Sequence, residues 1–186
     1  MRINRTKKYE EYGYVLDFLA EGRPDLSKQI YIREPIVQAI GENFFTLLEL
    51  VAKKNAKISI HERIFIGLGE RDKINHVKRR ITYEELTATA KSELPYVIEE
   101  IVRRNEKKFV NFFNTARPLT TRMHQLELLP GIGKKLMWEI LEERKKKPFE
   151  NFQDLSSRVR ISDPVKMIVK RIIQELKGED KYRLFT

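Results

Sequence analysis

Cysteine is absent from this 186-residue chain, and that single absence excludes disulfides, thiolate zinc sites, iron–sulfur clusters and cysteine nucleophiles together. Long apolar runs are missing as well. No window reaches about 18 apolar residues, so no segment reads as a membrane span. The basic stretch Met1 to Lys8 is followed by no apolar run of signal length, which leads us to expect a soluble, cytoplasmic protein with no membrane partner. Histidine is scarce: His61, His76 and His124 stand far apart without companions at ligand spacing, so no metal and no other cofactor is expected.

Positive charge, by contrast, is plentiful. Lysine and arginine number 37 against 27 acidic residues, a net +10, which favours an anionic polymer over an acidic small molecule as partner. Charge alone does not separate a nucleic-acid surface from an ordinary solvated one; local patterns do.

Two halves differ in period. From about Tyr12 to Ile81 the chain is rich in β-branched and aromatic residues in short runs between turn signals, which predicts strands. Gly13 to Ala20 reads as a first strand, ended by Glu21 to Asp25, and Gln29 to Arg33 as a short second one. Ile36 to Ile40 and Phe44 to Ala52 read as a hairpin around Gly41-Glu42-Asn43, and Ile58 to Leu68 and Ile74 to Ile81 complete the set. About five or six strands in roughly 70 residues suit a small closed or partly open barrel of the OB-like kind.

Helical signals follow. Thr82 to Glu85 is a capping-box signature for a short helix. Ser92-Glu93-Leu94-Pro95 reads as the start of a longer one, with Leu94, Val97, Ile98, Ile101, Phe109, Phe112 and Phe113 on its apolar face. Arg117 to Thr121 reads as a connector, Arg122 to Leu128 as a helix, and Lys134 to Lys147 as the next, stopped by Pro148. Asn151 caps a short helix to about Val159, and Ser162-Asp163-Pro164 opens a last one whose Val165, Ile168, Val169, Ile172 and Leu176 share a face. The expected architecture is α+β and multidomain, with a β-barrel over residues 1–81, a helical joint over 82–116 and an all-α domain over 117–186.

Between two of these helices lies Leu129-Pro130-Gly131-Ile132-Gly133-Lys134-Lys135. Its glycines permit a sharp turn and close approach of a foreign backbone, and the helix from Lys134 directs its unbonded N–H groups and positive dipole end at the turn. Such an end accepts an anion. We therefore expect Pro130, Gly131, Ile132, Gly133, Lys134 and Lys135, with Arg122 just upstream, to bind phosphate. In the first half the densest basic run offers Arg71, Lys73, Lys78, Arg79 and Arg80 as an electrostatic track, and Tyr31, Phe44, Phe45 and Phe65 as stacking rings. Strict alternation would send Val77, Arg79 and Ile81 to one face of their strand and His76, Lys78 and Arg80 to the other. Arg144 to Lys147 could extend the track, although Glu139, Glu142 and Glu143 one turn earlier favour an internally paired surface. Trp138 is expected between helices.

Leu126-x-x-Leu129-Pro130-Gly131-Ile132-Gly133-Lys134-Lys135-Leu136 with Ile140-Leu141 resembles the helix-hairpin-helix motif, and Pro148-Phe149-x-x-Phe152-x-x-Leu155 resembles the segment joining two such motifs in tandem. The likeness implies sequence-tolerant DNA or RNA binding, with a monovalent cation as an optional ligand of the hairpin carbonyls. The second hairpin position, Arg160 to Pro164, lacks Gly-x-Gly and carries Asp163, so it is expected to be structural. Leu136, Met137 and Trp138 stand where the motif usually has a small residue, which implies wider helix packing. Over its full length, through Tyr12 to Asp17, Gly69 to Ile74, Val77 to Ile81 and Lys181 to Phe185, the chain resembles the archaeal domain-of-unknown-function family 655, an OB-like barrel followed by helix-hairpin-helix.

The leading expectation is a non-enzymatic nucleic-acid-binding protein acting on RNA or on single-stranded or structured nucleic acid. A protein-interaction module in a transcription or translation assembly, using Phe109, Phe112 and Phe113, is the alternative. A DNA lyase or nuclease ranks below both. Lys135 and Asp154 resemble the lyase pair of helix-hairpin-helix glycosylases, but the surrounding glycosylase domain is missing, and Glu62 or Glu70 to Lys73 assemble no Mg²⁺ set.

Overall fold

The structure, a computed structural model, describes residues 9–22 and 34–186. The strand expected at Gln29 to Arg33, the Tyr31 ring and the Met1 to Lys8 stretch lie outside the described residues. The chain divides into two compact units, Met1–Val97 with Phe185–Thr186, and Ile98–Leu184.

The first unit is built on an antiparallel five-stranded sheet: β1 (Tyr12–Leu19), β2 (Ile36–Gly41), β3 (Leu47–Ala52), β4 (Arg63–Phe65) and β5 (Ile74–Arg80), in the order β4-β1-β2-β3-β5. β4 and β5 are its edges and do not pair among the described residues, so the sheet is a curled half-barrel and not a closed barrel. One face holds the core of Val15, Val37, Ala39, Leu48, Leu50, Ala52, Ile64, Ile66 and Ile74. β2 and β3 are buried along their whole length, which places Gln38 and Glu49 in the interior of the opposite face.

The hairpin expected around Gly41 is present, with Ile36 to Ile40 paired to Val51 to Leu47. β3, however, starts at Leu47 and not at Phe44. The buried Glu10 carboxylate accepts the backbone N–H groups of Asn43, Phe44 and Thr46 at 2.9, 3.0 and 3.2 Å, which organises the loop and takes those donors away from the ladder. Gly41 makes room for it, since a Cβ there would lie 2.0 Å from Glu10 Cδ. The strand expected over Ile58 to Leu68 shrinks to Arg63–Phe65, and Asn55 and His61 before it take left-handed φ of 62° and 68°.

β5 departs from simple alternation. Its register against β3 shifts between Glu49 and Leu50 and between Val51 and Ala52, giving the pairs Arg80↔Leu48, Arg79↔Glu49, Val77↔Leu50, His76↔Val51 and Ile74↔Ala52. Opposed residues point to the same side, so Val77 and Arg80 share the face of Ile74, and Arg79 and His76 share the other. The alternation expected from the sequence is thereby corrected.

A 3₁₀ turn at Tyr83–Glu85 follows, with the Glu85 carboxylate accepting the Thr82 N–H at 2.8 Å as the capping box predicts. The next helix, α1, runs Ala88–Arg104, so it begins before Ser92 and carries Pro95 in its interior. A tertiary contact sets its start: the Thr87 hydroxyl donates to Asp17 Oδ2 at 2.6 Å and accepts the Ala90 N–H at 3.0 Å, and the Gln38 amide bridges Glu85 O and Thr87 N at 3.0 and 2.9 Å.

In the second unit the expected long apolar helix is broken. Asn105 (φ −107°, ψ 34°) turns its side-chain amide back onto Ile101 O at 2.9 Å, competing with the helical ladder, and α2 (Glu106–Thr115) restarts after it. Phe109 and Phe113 of α2 are buried. α3 (Lys134–Lys146), α4 (Phe152–Arg158) and α5 (Pro164–Lys177) follow, with α4 and α5 capped by the side chains of Asn151 and Asp163 and α5 ended by Gly178 at φ 73°. The helix expected over Arg122 to Leu128 is only a 3₁₀ turn, Gln125–Leu128, since Pro118 and His124 form a β-bridge just before it.

Candidate nucleic-acid interface

The turn between Leu129 and Lys135 rests on an apolar footing: Leu126, Leu129, Ile132, Met137 and Ile140 are all buried. Upstream, His124 is buried in an extended conformation, its ring Nδ1 accepts the Leu126 N–H at 3.1 Å, and the Glu127 carboxylate accepts the His124 N–H at 2.8 Å. Nδ1 must be unprotonated for this, so the neutral ring carries its proton on Nε2. Burial holds the imidazole pKa below its ordinary value, with Arg144 adding to the effect and Glu127 opposing it.

The two glycines of the turn do different things. Gly131 has φ +94°, so the backbone calls for glycine, and a Cβ on it would meet the flexible tip of Met167, Cε, at 3.0 Å. Gly133 has φ −91° and ψ −178°, open to any residue, and nothing lies within 4 Å of where its Cβ would be. It stands at the N-cap of α3 and offers no side-chain cap. The neighbouring helices differ: Asn151 Oδ1 accepts the Asp154 N–H at 2.7 Å and Asp163 Oδ1 accepts the Lys166 N–H at 3.0 Å.

Beside the turn is an open cleft of about 480 Å³, lined by Leu128 to Gly133 together with Glu127, Arg171, Gln174 and Asp180. Arg171 is only 2% exposed, a burial that residue type alone does not predict. Its Nε donates to Glu175 at 2.8 Å, its Nη1 to Asp180 Oδ2 at 2.7 Å and to Leu128 O at 3.3 Å, and its Nη2 to Tyr182 O. The guanidinium, followed by the Tyr182 N–H, holds the Asp180 carboxyl below the usual range. The available signal was a charged pair four residues apart, Arg171 and Glu175, set among the apolar positions Ile168 and Ile172.

The expected basic residues separate into committed and uncommitted groups. Lys134 Nζ lies 3.1 Å from Glu127 Oε1 and donates to Arg122 O at 3.2 Å. The side chains of Lys135 and Arg122 are exposed and form no ion pair among the described residues. Arg144 turns inward to donate to Phe113 O and Ala116 O at 3.0 and 2.8 Å, while Lys145, Lys146 and Lys147 pair with Glu142, Glu143 and Glu150. That cluster is an internally paired surface. Asp154 accepts the Glu150 N–H at 3.0 Å and pairs with Arg158 at 3.1 Å, which occupies the carboxylate considered for a lyase.

In the first unit the basic run is engaged within the fold. Arg71 donates to Gly67 O and Asn75 O at 2.9 and 3.3 Å, Lys73 pairs with Glu62, Lys78 pairs with Glu34 at 3.1 Å, and Arg79 bridges Glu49 and Glu85 at 3.0 and 2.5 Å. The Thr82 N–H and then Arg79 hold the Glu85 carboxyl down at about 2. Arg80 lies opposite Leu48 at the end of β5. Of the rings, Phe45 is buried, Phe44 is partly so, and Phe65 sits edge-on to Tyr12 with centroids 5.4 Å apart. Trp138, expected between helices, is 57% exposed; its neighbour Met137 makes the packing contact instead.

Architecture and sequence together define an α+β protein with a half-barrel sheet and a set of short helices, and this combination recurs in known proteins. The chain belongs to the family described as protein of unknown function (DUF655), whose model matches residues 9–186. It is 52% identical over 185 residues to uncharacterized protein MJ0038 of Methanocaldococcus jannaschii, covering 98% of this chain and 82% of that protein. It is similar to the crystal structure of Af1531 from Archaeoglobus fulgidus, of the same family, with a TM-score of 0.87 and 55% identity over 95% of this chain and 99% of that one.

Proposed function

We propose that the protein binds nucleic acid, RNA or DNA in single-stranded or structured form, with little sequence preference and without chemistry of its own. The observation that carries this reading is Gly133. Its backbone conformation suits any residue and its Cβ position is empty, yet the N-cap of α3 is left bare of a side chain. A ligand backbone approaching the first-turn amides of α3 accounts for both features, because a side chain would cap those amides and occupy that space. Lys135 and Arg122 beside them add mobile positive charge. In this reading the apolar frame from Leu126 to Ile140 is a helix-hairpin-helix unit, α4 and α5 form its tandem partner with Asp163 closing the second turn, and the half-barrel is OB-like. The hairpin carbonyls remain able to accept a monovalent cation. Of the three rings on which the alternative, a protein-interaction module, would rest, Phe109 and Phe113 are buried and Phe112 is half-buried, which favours the nucleic-acid reading over it.

The test is fluorescence anisotropy of labelled RNA and DNA strands across a range of salt. Roughly micromolar affinity falling linearly with log salt is expected, with Lys135→Glu lowering the slope by about one and Gly133→Asp weakening binding at every salt concentration. Salt-independent binding, or variants that bind like the native chain, would remove the turn from the interface.

A further inference from the structure

Trp138 is the only tryptophan in the chain, and it is exposed on α3 while Met137 and Ile140 beside it are buried. No hydrogen bond or ring contact engages the indole among the described residues. A tryptophan more than half exposed is costly to leave in water, since its large apolar ring gains from burial. Its place on the helix is specific. Lys134 and Lys135 precede it by four and three positions, so their stems and the ring share one face, and the ring lies about 6 Å along the axis from the first turn. The acidic neighbours are occupied: Glu139 accepts the Arg160 N–H at 2.9 Å and Glu142 pairs with Lys145 at 2.8 Å. The face therefore presents the uncommitted Lys135 and a bare indole, flanked by the ion-paired Lys134 and Glu142.

We propose that Trp138 stacks on an unpaired nucleobase of the strand whose backbone is held at the Leu129 to Lys135 turn. This rests on the nucleic-acid reading above and narrows it to single strands. In a duplex the base faces are covered by their neighbours, and a side chain on a helix surface reaches only edges and phosphates. An unpaired base offers a whole face, and every base has one, so the contact selects unpaired strand without selecting sequence. The turn supplies the grip on the backbone, and the indole supplies the discrimination against duplex.

Because Trp138 is the single tryptophan, its intrinsic fluorescence reports on this contact in the full, unlabelled chain. The chain is titrated with oligothymidylate of about ten nucleotides, with an abasic sugar–phosphate strand of the same length, and with a blunt duplex. Oligothymidylate is expected to quench the indole strongly and the abasic strand to leave it nearly unchanged while still binding by anisotropy. Trp138→Ala should lower affinity for oligothymidylate about ten-fold and leave affinity for the abasic strand as it was, with Trp138→Phe restoring most of the loss. Lys135→Glu should weaken both strands alike. If both strands bind but the indole stays silent, or Trp138→Ala binds oligothymidylate like the native chain, stacking is overturned while the turn keeps its role. If none of the three polyanions binds and labelled RNA does not bind either, both readings fall.

Discussion

Arg171 in α5 donates its Nη1 to the main-chain carbonyl of Leu128, the residue just ahead of the Leu129 to Lys135 turn. The same guanidinium is joined to Glu175, Asp180 and Tyr182 O, so one buried cation ties the entry of the turn to the segment after α5. Both Arg171 and Glu175 are excluded from water, at 2% and 0% exposure, and such a pair is expensive to break from one side only. Arg171→Leu should therefore destabilise the protein by about 3–5 kcal/mol, because Glu175 would lose its guanidinium while still buried. Arg171→Leu combined with Glu175→Leu should be less destabilised than Arg171→Leu alone. Chemical denaturation of the two single variants and the double variant measures this coupling, and additive losses would show that the two side chains act independently.

Much of this arrangement is written locally. β1, β2, β3 and β5 follow from β-branched and apolar runs between turn residues, and the helix caps at Thr82, Asn151 and Asp163 follow from residue type and spacing. What was not legible depends on partners distant in the chain. Glu10 shortens β3 by taking the loop amides some thirty-odd residues away, and Thr87 advances the start of α1 by bonding to Asp17. The bulges of β5 reverse the sidedness of His76 and Val77 relative to Ile74, which no alternation rule sees. Asn105 could have been read as a helix breaker, but the apolar face ran through it. At the candidate site the turn was readable from Pro130, Gly131 and Gly133, whereas the division between committed Lys134 and uncommitted Lys135 needed the position of Glu127. The exposure of Trp138 was hidden because Met137, its neighbour, could equally have faced outward.

The unlike demands on the two glycines yield a pair of opposite outcomes. At Gly131 any Cβ is forced into a positive-φ backbone at +94°, while Met167 Cε at 3.0 Å can shift aside, so Gly131→Ala should cost about 1–2 kcal/mol. At Gly133 the space is open and the backbone extended, and a serine there can cap α3, so Gly133→Ser should leave stability unchanged or raise it by a few tenths of a kcal/mol. Denaturant midpoints at constant m-value would check both. Equal losses at the two positions would mean that Gly133 is needed by the fold and not kept open for a ligand.

The His124 ring makes the structure before the turn sensitive to acid. Its Nδ1 accepts the Leu126 N–H only when unprotonated, and burial first, then Arg144, depress its folded pKa below the ordinary 6.5 against the pull of Glu127. A group whose folded pKa is depressed binds protons more readily in the unfolded chain. Its contribution to stability is therefore present above about pH 6.5 and is lost as the pH falls from there toward the folded value. The size of the loss over that window is set by how far burial depresses the folded pKa below that of the unfolded ring. Replacing the ring by an amide keeps an acceptor for Leu126 N–H but does not titrate, so His124→Asn should flatten this part of the profile while the acid response of the carboxylates at lower pH remains. Thermal unfolding of the native chain and His124→Asn, followed from about pH 8 to about pH 5, separates the two; parallel profiles would show that protonation of His124 does not report on the turn.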